Sequence, residues 1–597
     1  MALFFFCSDS FEIRGELIPL DVVSVRRYAD GTLGKGQNVK STEHRSRRAM
    51  IVGLVCLGFL AGRAAFGTTG AVRVLDHGAV GDGTTLNTTA LQKAIDACAQ
   101  QKGGTVLVPA GVYRTGPIRL QSNVTLQLEA GAVLRASEAI EDHRVGGRVR
   151  PLISAQDAVN ITICGRGTID GRGTAFMHLD QVRTSAGDFE PRFTRQGEEF
   201  MAPKFGTADG PVTFRPRPNR LIAFYGCRDV RICDVTLMDA PIWTIHLGDC
   251  ERVDVTGLKI QNNPVIPNND GIHCTTCRSV HISNCDFVCG DDAICITSVE
   301  STQGGVCENV TVSNCTMSSR SAGVRVGYGP NPIRNCVFQN LVIHNSNRGL
   351  ALFVRQEGSI ENVLFDNIVI QTRLHTGHWW GKGEPIHLSV VPERKSTTNL
   401  GRIRNVVFSN VVAESESGEV MWAQEPGRIE DVTFNQVRLH LRQSPLAQSY
   451  GGNIDLRPAF DPQWAIFKHD LAGLYCHGVN GLTLNQIDVR WDADMPEYYT
   501  NTLWLEQTNR VAIDSFSGRQ PGSGDNRAAI LLDGVRGAIV RNSQAAEGTT
   551  TFLRHHDVTE AGLFGNNDVT KAATAIAPLP SPFAPSPASV VPAAAQN

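Results

Sequence analysis

Three aspartates near the middle of the chain have the residue type and the spacing that acid–base chemistry requires. Asp270 ends an Asn-Asn-Asp run, and Asp291 and Asp292 follow a glycine 21 residues later. Between them, residues 280–287 alternate apolar and polar side chains, which predicts a strand with one buried face. Residues one turn apart in a stacked β-coil lie about 4.8 Å from each other, so we expect the three carboxylates to form one cluster.

Such a cluster has a chemical consequence. Carboxylates this close cannot all ionise freely, so the pKa of at least one of them should rise. A proton donor beside a carboxylate that activates water is the arrangement that glycoside hydrolysis requires. Asn, Asp and Gly also gather in turns for backbone reasons, and either motif alone would be an ordinary turn. Their separation by one coil within a repeat favours the catalytic interpretation.

The elements that must position these acids belong to a repeat that dominates the chain from residue 159 onward. Its frame is apolar-x-apolar-x-Asn-apolar, with asparagines at Asn284, Asn314, Asn340, Asn367 and Asn410. Repeats of variable length, built from strands without helices, predict an all-β, right-handed parallel β-helix. We expect the asparagines to stack into a ladder in which their side-chain amides bond to one another.

The solenoid needs a cover for its open first coil. Leu91, Ala94, Ile95 and Cys98 follow the spacing of an amphipathic helix, which predicts a short N-terminal capping helix started by Asn87 or Thr88.

We place the catalytic β-helix at residues 70–572, followed by a disordered Pro/Ala-rich tail at residues 573–597. Residues 172–215 and 371–400 do not fit the repeat and are predicted to be long insertions, which are more often functional than idle.

Residues 1–69 have the features of an N-terminal extension and export signal. The arginine pair Arg47-Arg48 precedes a short apolar run, residues 50–60, and then small residues. The run is too short to span a membrane, and the arginine pair resembles a twin-arginine signal. We therefore expect a secreted or periplasmic protein.

The composition narrows the set of partners. Lys and Arg number 56 against 59 for Asp and Glu, so we expect neither nucleic acid nor an anionic membrane as a partner.

Most of the 16 cysteines fall at interior positions of the repeat and are predicted to be buried packing residues. A disulfide or metal remains the alternative, since Cys274 and Cys277 have the spacing of half a zinc site. We expect a monomer with no cofactor and no metal.

The run Asn-Asn-Asp-Gly-Ile at residues 268–272 and Gly-Asp-Asp-Ala-Ile at residues 290–294 resemble the two acidic motifs of the polygalacturonases, glycoside hydrolase family 28. The resemblance covers roughly residues 72–440. It implies that Asp291 is the general acid, that Asp270 and Asp292 position and deprotonate water, and that the anomeric centre inverts. Close carboxylates would by themselves favour retention, and here the resemblance takes precedence.

The chain departs from this family at its basic residues. The family carries a Gly-His-Gly motif and an Arg-x-Lys motif in the next coils, where this chain has Ala322, Ala351 and Phe353. Those basic groups would hold the uronate carboxylate, and bidentate arginine recognition is difficult to replace. Unsubstituted polygalacturonate should therefore be a poor substrate. We expect substrate contacts near the acids from these residues: Asn268, His273, Arg325, Arg348 and Arg355. On the insertion at residues 371–400, Trp379 and Trp380 are expected to stack on sugar rings.

Three classes of function fit these observations. The leading one is an inverting glycoside hydrolase acting on a pectic-type cell-wall polysaccharide or its oligosaccharides. A calcium-dependent polysaccharide lyase could use the same fold, although no Arg or Lys base stands out beside Asp270 or Asp291. A non-catalytic β-helix glycan-binding protein is the third, because fold alone does not decide function.

Overall fold

The computed structural model describes residues 71–184, 189–200, 206–299, 301, 304–397, 399–524, 526–559 and 563–579. The predicted export signal lies outside these ranges. Within them, no helix is both long and apolar enough to cross a membrane.

Two parallel sheets wind around a common apolar core, which confirms the predicted all-β parallel β-helix. Each coil in the central part supplies two strand positions to a larger sheet and one to a smaller sheet. In the coil of the acids, for example, Arg278–Ser283 and Asp286–Cys289 belong to the larger sheet and Ile294–Thr297 to the smaller one. In later coils the first two strands merge into one long, bent strand.

The larger sheet consists, within the described residues, of these strands: Val72–Arg73, Asp82–Leu86, Gly104–Val108, Gly111–Thr115, Val124–Leu128, Ala132–Ala136, Val159–Gly165, Thr168–Asp170, Arg228–Cys233, Thr236–Met238, Glu251–Thr256, Lys259–Gln261, Arg278–Ser283, Asp286–Cys289, Cys307–Ser319, Ile333–Ser346, Ile360–Thr372, Ile403–Ser415, Ile429–Leu441, Val479–Trp491, Asn509–Asp514, Ser517–Gly518, Arg536–Arg541, Gln544–Ala545 and Leu563–Gly565.

The smaller sheet consists, over the same residues, of these strands: Ile118–Arg119, Ile153–Gln156, Arg220–Tyr225, Trp243–Gly248, Ile272–Thr275, Ile294–Thr297, Ala322–Val326, Arg348–Val354, Ile386–Val390, Glu419–Ala423, Leu471–His477, Tyr499–Glu506, Ile530–Asp533, Thr549–His556 and Ala572–Pro578. The last of these pairs with Thr549–His556, so the solenoid continues to Pro578 and does not end at residue 572 as predicted.

The repeat is held by stacked side chains, as its sequence frame predicts. Asn340 donates to Asn314 at 3.2 Å and Asn367 to Asn340 at 3.3 Å, which confirms the asparagine ladder. Each of these asparagines has a positive φ near +55°, a conformation that asparagine tolerates better than most residues. Inside the coils, Phe338, Phe365, Phe408 and Phe434 stack with ring centroids 4.8–5.0 Å apart.

The helix Thr88–Gln100 lies at the N-terminal end and buries Leu91, Ala94, Ile95 and Cys98, as predicted. Asn87 occupies its N-cap position, but its side chain accepts from the backbone N–H of Val80. The remaining helical segments are short: the α-helices Ala447–Tyr450 and Pro462–Ala465, and the 3-10 helices Val74–His77, Ile140–His143, Gly173–Phe176, Pro191–Phe193 and Gly197–Glu199.

Three insertions interrupt the coils. The first insertion, residues 172–215, contains the antiparallel pair Met177–Val182 and Val212–Phe214. The predicted insertion at 371–400 is in fact two loops flanking the strand Ile386–Val390, and we call residues 373–385 the second insertion. The third insertion, residues 442–470, was not predicted, and contains the antiparallel pair Asn453–Asp455 and Ile466–Lys468. A small hairpin, Arg144–Val145 with Arg148–Val149, lies near the N-terminal end.

Every described cysteine is free, which agrees with the packing interpretation.

Candidate active site

Asp270 is held in place by a network of buried amides. The Asn269 side chain accepts from the backbone N–H of Gly290 at 2.5 Å and donates to the carbonyl of Asn263 at 2.8 Å. The Asn262 side chain donates to the carbonyl of Asn269 at 3.0 Å. Because every one of these groups is paired, the turn before the strand Ile272–Thr275 has one well-defined conformation.

The second acidic turn packs against the first. A Cβ on Gly290 would lie 2.3 Å from the carbonyl oxygen of Ile266, so only glycine fits there. Ser319 Oγ donates to the carbonyl of Asp291 at 2.7 Å, which fixes the far side of the turn. Ile272 and Ile294 are partners in adjacent strands, and Asp270 and Asp292 each lie two residues before them.

This register brings the acids together. Asp270, Asp291 and Asp292 each place one carboxylate oxygen within 4.8 Å of the others. All three line a cavity of about 180 Å³. Its other walls come from the coils and from two insertions: Trp243, Pro267, Asn268, Ser321, Arg325, Tyr328, and Arg183, Pro211, His378, Trp379 and Trp380.

The three carboxyl groups have different electrostatic surroundings. Burial, with the negative charges of Asp270 and Asp292, raises the pKa of Asp291 well above its usual range. Burial and Asp292 also raise the pKa of Asp270, to about 7. Burial acts to raise the pKa of Asp292 too, but the guanidinium of Arg325 outweighs it and lowers that pKa. Asp292 also accepts from the backbone N–H of Ala322 at 2.9 Å. The site therefore offers an ionised carboxylate beside a protonated one.

Cys295 lies at the centre of this group, and sequence reasoning missed it. Its Sγ is 3.4 Å from Asp270 Oδ2 and 3.5 Å from Asp292 Oδ2, and it accepts from Arg325 Nη2 at 3.3 Å. Burial raises the pKa of this thiol well above its usual value, so it stays neutral. The alternation of the strand could have revealed it: Cys295 lies between the core residues Ile294 and Ile296, so its side chain is on the opposite face, toward the acids.

Two sets of described side chains come close enough to share a cation. One is the three aspartates, and the other is Asp270, His273 and Cys295. The Arg325 guanidinium already neutralises Asp292 at this point. The absence of a metal stays a prediction for both sets.

Four of the seven predicted substrate contacts lie on the cavity wall: Asn268, Arg325, Trp379 and Trp380. Their roles in binding stay predictions. Arg325 is engaged with Asp292, and its Nη1 also donates to the carbonyl of Gly327 at 2.6 Å. Trp379 is only 4% exposed and its Nε1 donates to the Asp209 carbonyl, so most of this side chain packs inside the protein. Trp380 is more exposed and is the better surface for a sugar ring.

The structure does not place His273, Arg348 or Arg355 on the cavity wall. His273 is stacked beneath Trp243 with ring centroids 3.8 Å apart, and its Nε2 lies 3.1 Å from Thr297 Oγ1. Burial lowers its pKa well below the usual value, so it is neutral. We correct its predicted role from substrate contact to support of Trp243.

The two arginines are buried for a different reason. Arg348 is 1% exposed and donates to the carbonyl of Asp455 at 2.5 Å. Arg355 is fully buried and donates to the carbonyls of Ser389 and Leu456 at 3.0 and 2.9 Å. Both arginines therefore join the third insertion to the coils. The prediction that they replace the missing basic residues is wrong.

The positions where the resemblance leads one to expect basic residues are apolar in three dimensions as well. Ala322, Ala351 and Phe353 form one small buried cluster against Tyr328. Among the described residues, the basic side chain that this part of the smaller sheet contributes to the cavity wall is Arg325, and it is already paired with Asp292.

Asp209 joins the first insertion to the second. Its carboxylate accepts from Arg373 Nη2 at 2.9 Å and from the Thr376 backbone N–H at 3.1 Å. Its own carbonyl accepts from Trp379 Nε1 at 2.9 Å. Burial opposes ionisation of Asp209, but the hydrogen bonds from Arg373 and Thr376 and the nearby positive charge together outweigh it, and the pKa falls to about 2. Sequence reasoning missed this residue because the insertion has no repeat to show which polar group turns inward.

The third insertion holds the second one from the other side. The Asp455 carboxylate accepts from the Gly381 backbone N–H at 2.8 Å and from Arg457 Nη2 at 2.9 Å. Arg457 Nη2 also donates to the carbonyl of Trp379 at 2.6 Å. The tryptophan-bearing loop is thus held at both ends by buried ionic groups.

Comparisons with known proteins identify the family of the chain. The sequence profile described as glycosyl hydrolases family 28 matches residues 98–449. The chain is 31% identical over 252 residues to an exo-poly-alpha-D-galacturonosidase of Dickeya chrysanthemi, covering 37% of this chain and 41% of that one. It is 30% identical over 243 residues to a probable polygalacturonase of Vitis vinifera, covering 38% and 44%. The matches thus span less than half the length of either relative.

Solved structures show the same fold. A family 28 exopolygalacturonase of Yersinia enterocolitica superposes with a TM-score of 0.54 at 20% identity, over 76% of this chain and 79% of that one. An exopolygalacturonase of Thermotoga maritima gives a TM-score of 0.51 at 22% identity, over 71% and 92%.

Proposed function

Because the chain belongs to glycosyl hydrolases family 28, we propose that it hydrolyses glycosidic bonds in a pectic polysaccharide or its oligosaccharides, with inversion at the anomeric carbon. One observation supports this above the others. A partly buried carboxyl group with a raised pKa, Asp291, shares a cavity with an ionised carboxylate, Asp292. Paired carboxyl groups with separated pKa values are the acid and base of glycoside hydrolysis.

The roles follow from the charges. Asp291 gives its proton to the glycosidic oxygen as the bond from C1 to that oxygen breaks. A water molecule attacks C1 from the opposite face and loses its proton to Asp292 or Asp270. Arg325 keeps Asp292 ionised and oriented, since a guanidinium holds a carboxylate by charge-assisted hydrogen bonds.

The spacing of the acids makes the stereochemistry a sharp test. The nearest oxygens lie within 4.8 Å, whereas inverting enzymes separate their carboxyl groups by about 6.5–9.5 Å. Nearest-oxygen distances are a lower limit on the separation of whole carboxyl groups, and so inversion stays our proposal. Proton NMR of the first-formed product would identify the anomer, and a product that keeps the substrate's configuration would overturn this part.

The mode of attack is proposed from the insertions. Arg183 and Pro211 from the first insertion and His378, Trp379 and Trp380 from the second wall the cavity beside the acids. Walls of this kind obstruct a long chain that would otherwise pass through, so we propose attack near a chain end. The named exo activity of the Dickeya relative supports the same mode. Monomer release from a defined pectic oligosaccharide, followed by chromatography, tests it.

A lyase is the second candidate, because Arg183 adds a basic group to a cavity that contains three acids. A lyase would give an unsaturated product that absorbs near 235 nm, and a calcium-dependent one would lose activity in EDTA. We expect new reducing ends, no absorbance at 235 nm, and no effect of EDTA. Glycan binding that is unchanged in Asp291→Asn, with no turnover by the wild-type protein, would instead support a binding module.

We further propose that the protein acts as a monomer after export by the N-terminal signal predicted in residues 1–69. The free thiols of the described residues, which are buried apart from the partly exposed Cys164, need no oxidative pairing and are compatible with export of a folded chain. Fractionation of the native host tests the location, and light scattering of the purified protein tests the oligomeric state.

A further inference from the structure

The first insertion places an arginine in the cavity that the sequence motifs do not reveal. Arg183 directly follows the strand Met177–Val182, and its backbone N–H donates to the carbonyl of Pro211 at 2.7 Å. The guanidinium carbon lies 5.6 Å from the centre of the Phe214 ring. These contacts hold the residue on the hairpin, and its side chain lines the cavity with the three aspartates.

The charge of Arg183 is not already used. Among the described residues, no carboxylate lies within ion-pair distance of its guanidinium, which packs instead near the Phe214 ring and lines the cavity. The neighbouring Arg217 is committed, since it donates to the carbonyls of Pro241 and Pro267 at 2.6 and 2.8 Å. Burial and the positive charge of Arg183 lower the pKa of Arg217 to about 9. A cation that repels its neighbour and has no acid partner is stabilised by an incoming anion.

The remaining basic groups around the acids are engaged. Arg325 holds Asp292, while Arg348 and Arg355 donate to backbone carbonyls behind the wall. A substrate carboxylate in this cavity would meet the charge of Asp292 and the desolvation cost of burial unless a cation faced it. Arg183 is the described cavity-lining residue that can supply this cation.

We propose that Arg183, from the first insertion, is the residue that binds the carboxylate of an acidic sugar in the substrate of the proposed hydrolase. This inference rests on the proposed function. In the family motifs, basic residues of the smaller sheet would hold the substrate carboxylate. This chain has Ala322, Ala351 and Phe353 at those positions, and we assign the same role to Arg183 of the first insertion. The sequence alone predicted that polygalacturonate is a poor substrate. With Arg183 in this role, we expect that behaviour of a variant that lacks Arg183 and not of the wild-type protein.

The test compares Arg183→Gln with the wild-type protein on two substrates, trigalacturonic acid and its methyl ester, which differ by the charge and by one methyl group on each carboxyl. Loss of one charge-assisted hydrogen-bonded pair should lower kcat/KM for the acid by about 10- to 100-fold. The value for the ester should change by less than about threefold. Arg183→Lys keeps the charge but not the bidentate geometry, and should recover part of the activity on the acid.

Arg192→Gln is the matched control. It removes one arginine of the same insertion whose side chain is 68% exposed and lies away from the cavity. Both substrates should be hydrolysed normally by this variant. Equal losses on acid and ester in Arg183→Gln, at an unchanged melting temperature, would overturn the proposal.

Two further outcomes keep the inference separate from the proposed function. If Arg183→Gln has a lowered melting temperature, the folded Arg183→Lys variant is used instead. The ratio of its kcat/KM for the acid to that for the ester is compared with the wild-type ratio, and an unchanged ratio overturns the role of Arg183. If the wild-type protein hydrolyses neither substrate, the proposed function fails, and calorimetry then measures binding of the same two trimers. Tighter binding of the acid that disappears in Arg183→Gln would still support Arg183 as a carboxylate site, and equal binding would refute it.

Discussion

Replacing Asp209 by asparagine should loosen the walls of the cavity without changing the three aspartates Asp270, Asp291 and Asp292. Asparagine keeps the size of the side chain and one acceptor oxygen but removes the charge that faces Arg373 and Arg320. A carboxyl pKa of about 2, against about 3.9 in an unfolded chain, corresponds to about 2.6 kcal/mol of stabilisation. The side chain is only 13% exposed, so little of this is lost to solvent screening.

The loss should be mainly local, because the hydrogen bonds of the Asp209 carboxylate go to Arg373 and Thr376 of the second insertion, and its ion pair with Arg320 of a coil is longer, at 3.6 Å. We expect backbone amides around Thr376 and Gly377 to exchange with solvent about 10- to 100-fold faster, as the free-energy difference predicts. The KM should rise, while the melting of the coils should change little. Because the folded-state pKa lies below the unfolded one, the stabilisation is present above about pH 4 and is lost as the pH falls through about 2.

Hydrogen exchange by mass spectrometry and steady-state kinetics on the same preparations provide the measurement. Asp180→Asn is the matched control, since Asp180 is an exposed acid on the same insertion. Unchanged exchange at residues 373–380 together with an unchanged KM would refute the reasoning that Asp209 holds the two insertions together.

Three further outcomes are expected. Asp291→Asn should lower kcat by about 10² to 10⁴ and leave folding intact, as circular dichroism would check, and near wild-type turnover would remove Asp291 as the general acid. Trp379→Ala should cost about 3–5 kcal/mol in denaturant titrations because that side chain is buried, whereas Trp380→Ala should mainly raise the KM. Activity should fall in acid as Asp292, whose pKa is lowered, gains a proton, and fall in base as Asp291, whose pKa is raised, loses one; a flat pH–rate profile would contradict these assignments.

The parts of the molecule that repeat could be predicted from the sequence. The asparagine frame determines the coil, and the coil determines that Asp270 and Asp292 meet across two adjacent strands. The capping helix followed from its apolar spacing for the same physical reason, since burial imposes a period on the side chains.

The parts that could not be predicted lie where no period exists. Arg348 and Arg355 were assigned to substrate because a sequence does not show whether an arginine after a strand faces a cleft or a backbone carbonyl. Arg183 and Asp209 were missed for the converse reason. Their partners are decided by contacts between insertions, and those contacts have no pattern along the chain.

The contacts that close the cavity also constrain the order in which the protein can fold. Asp209 bonds to Thr376, which is 167 residues later in the chain, and several coils must stack before the two can meet. Closing so long a loop costs entropy that only completed coils can offset. The cavity should therefore form last, and during refolding the circular dichroism of the sheets should recover before catalytic activity does. A nascent chain would remain inactive until residues well beyond its acids had been synthesised and folded.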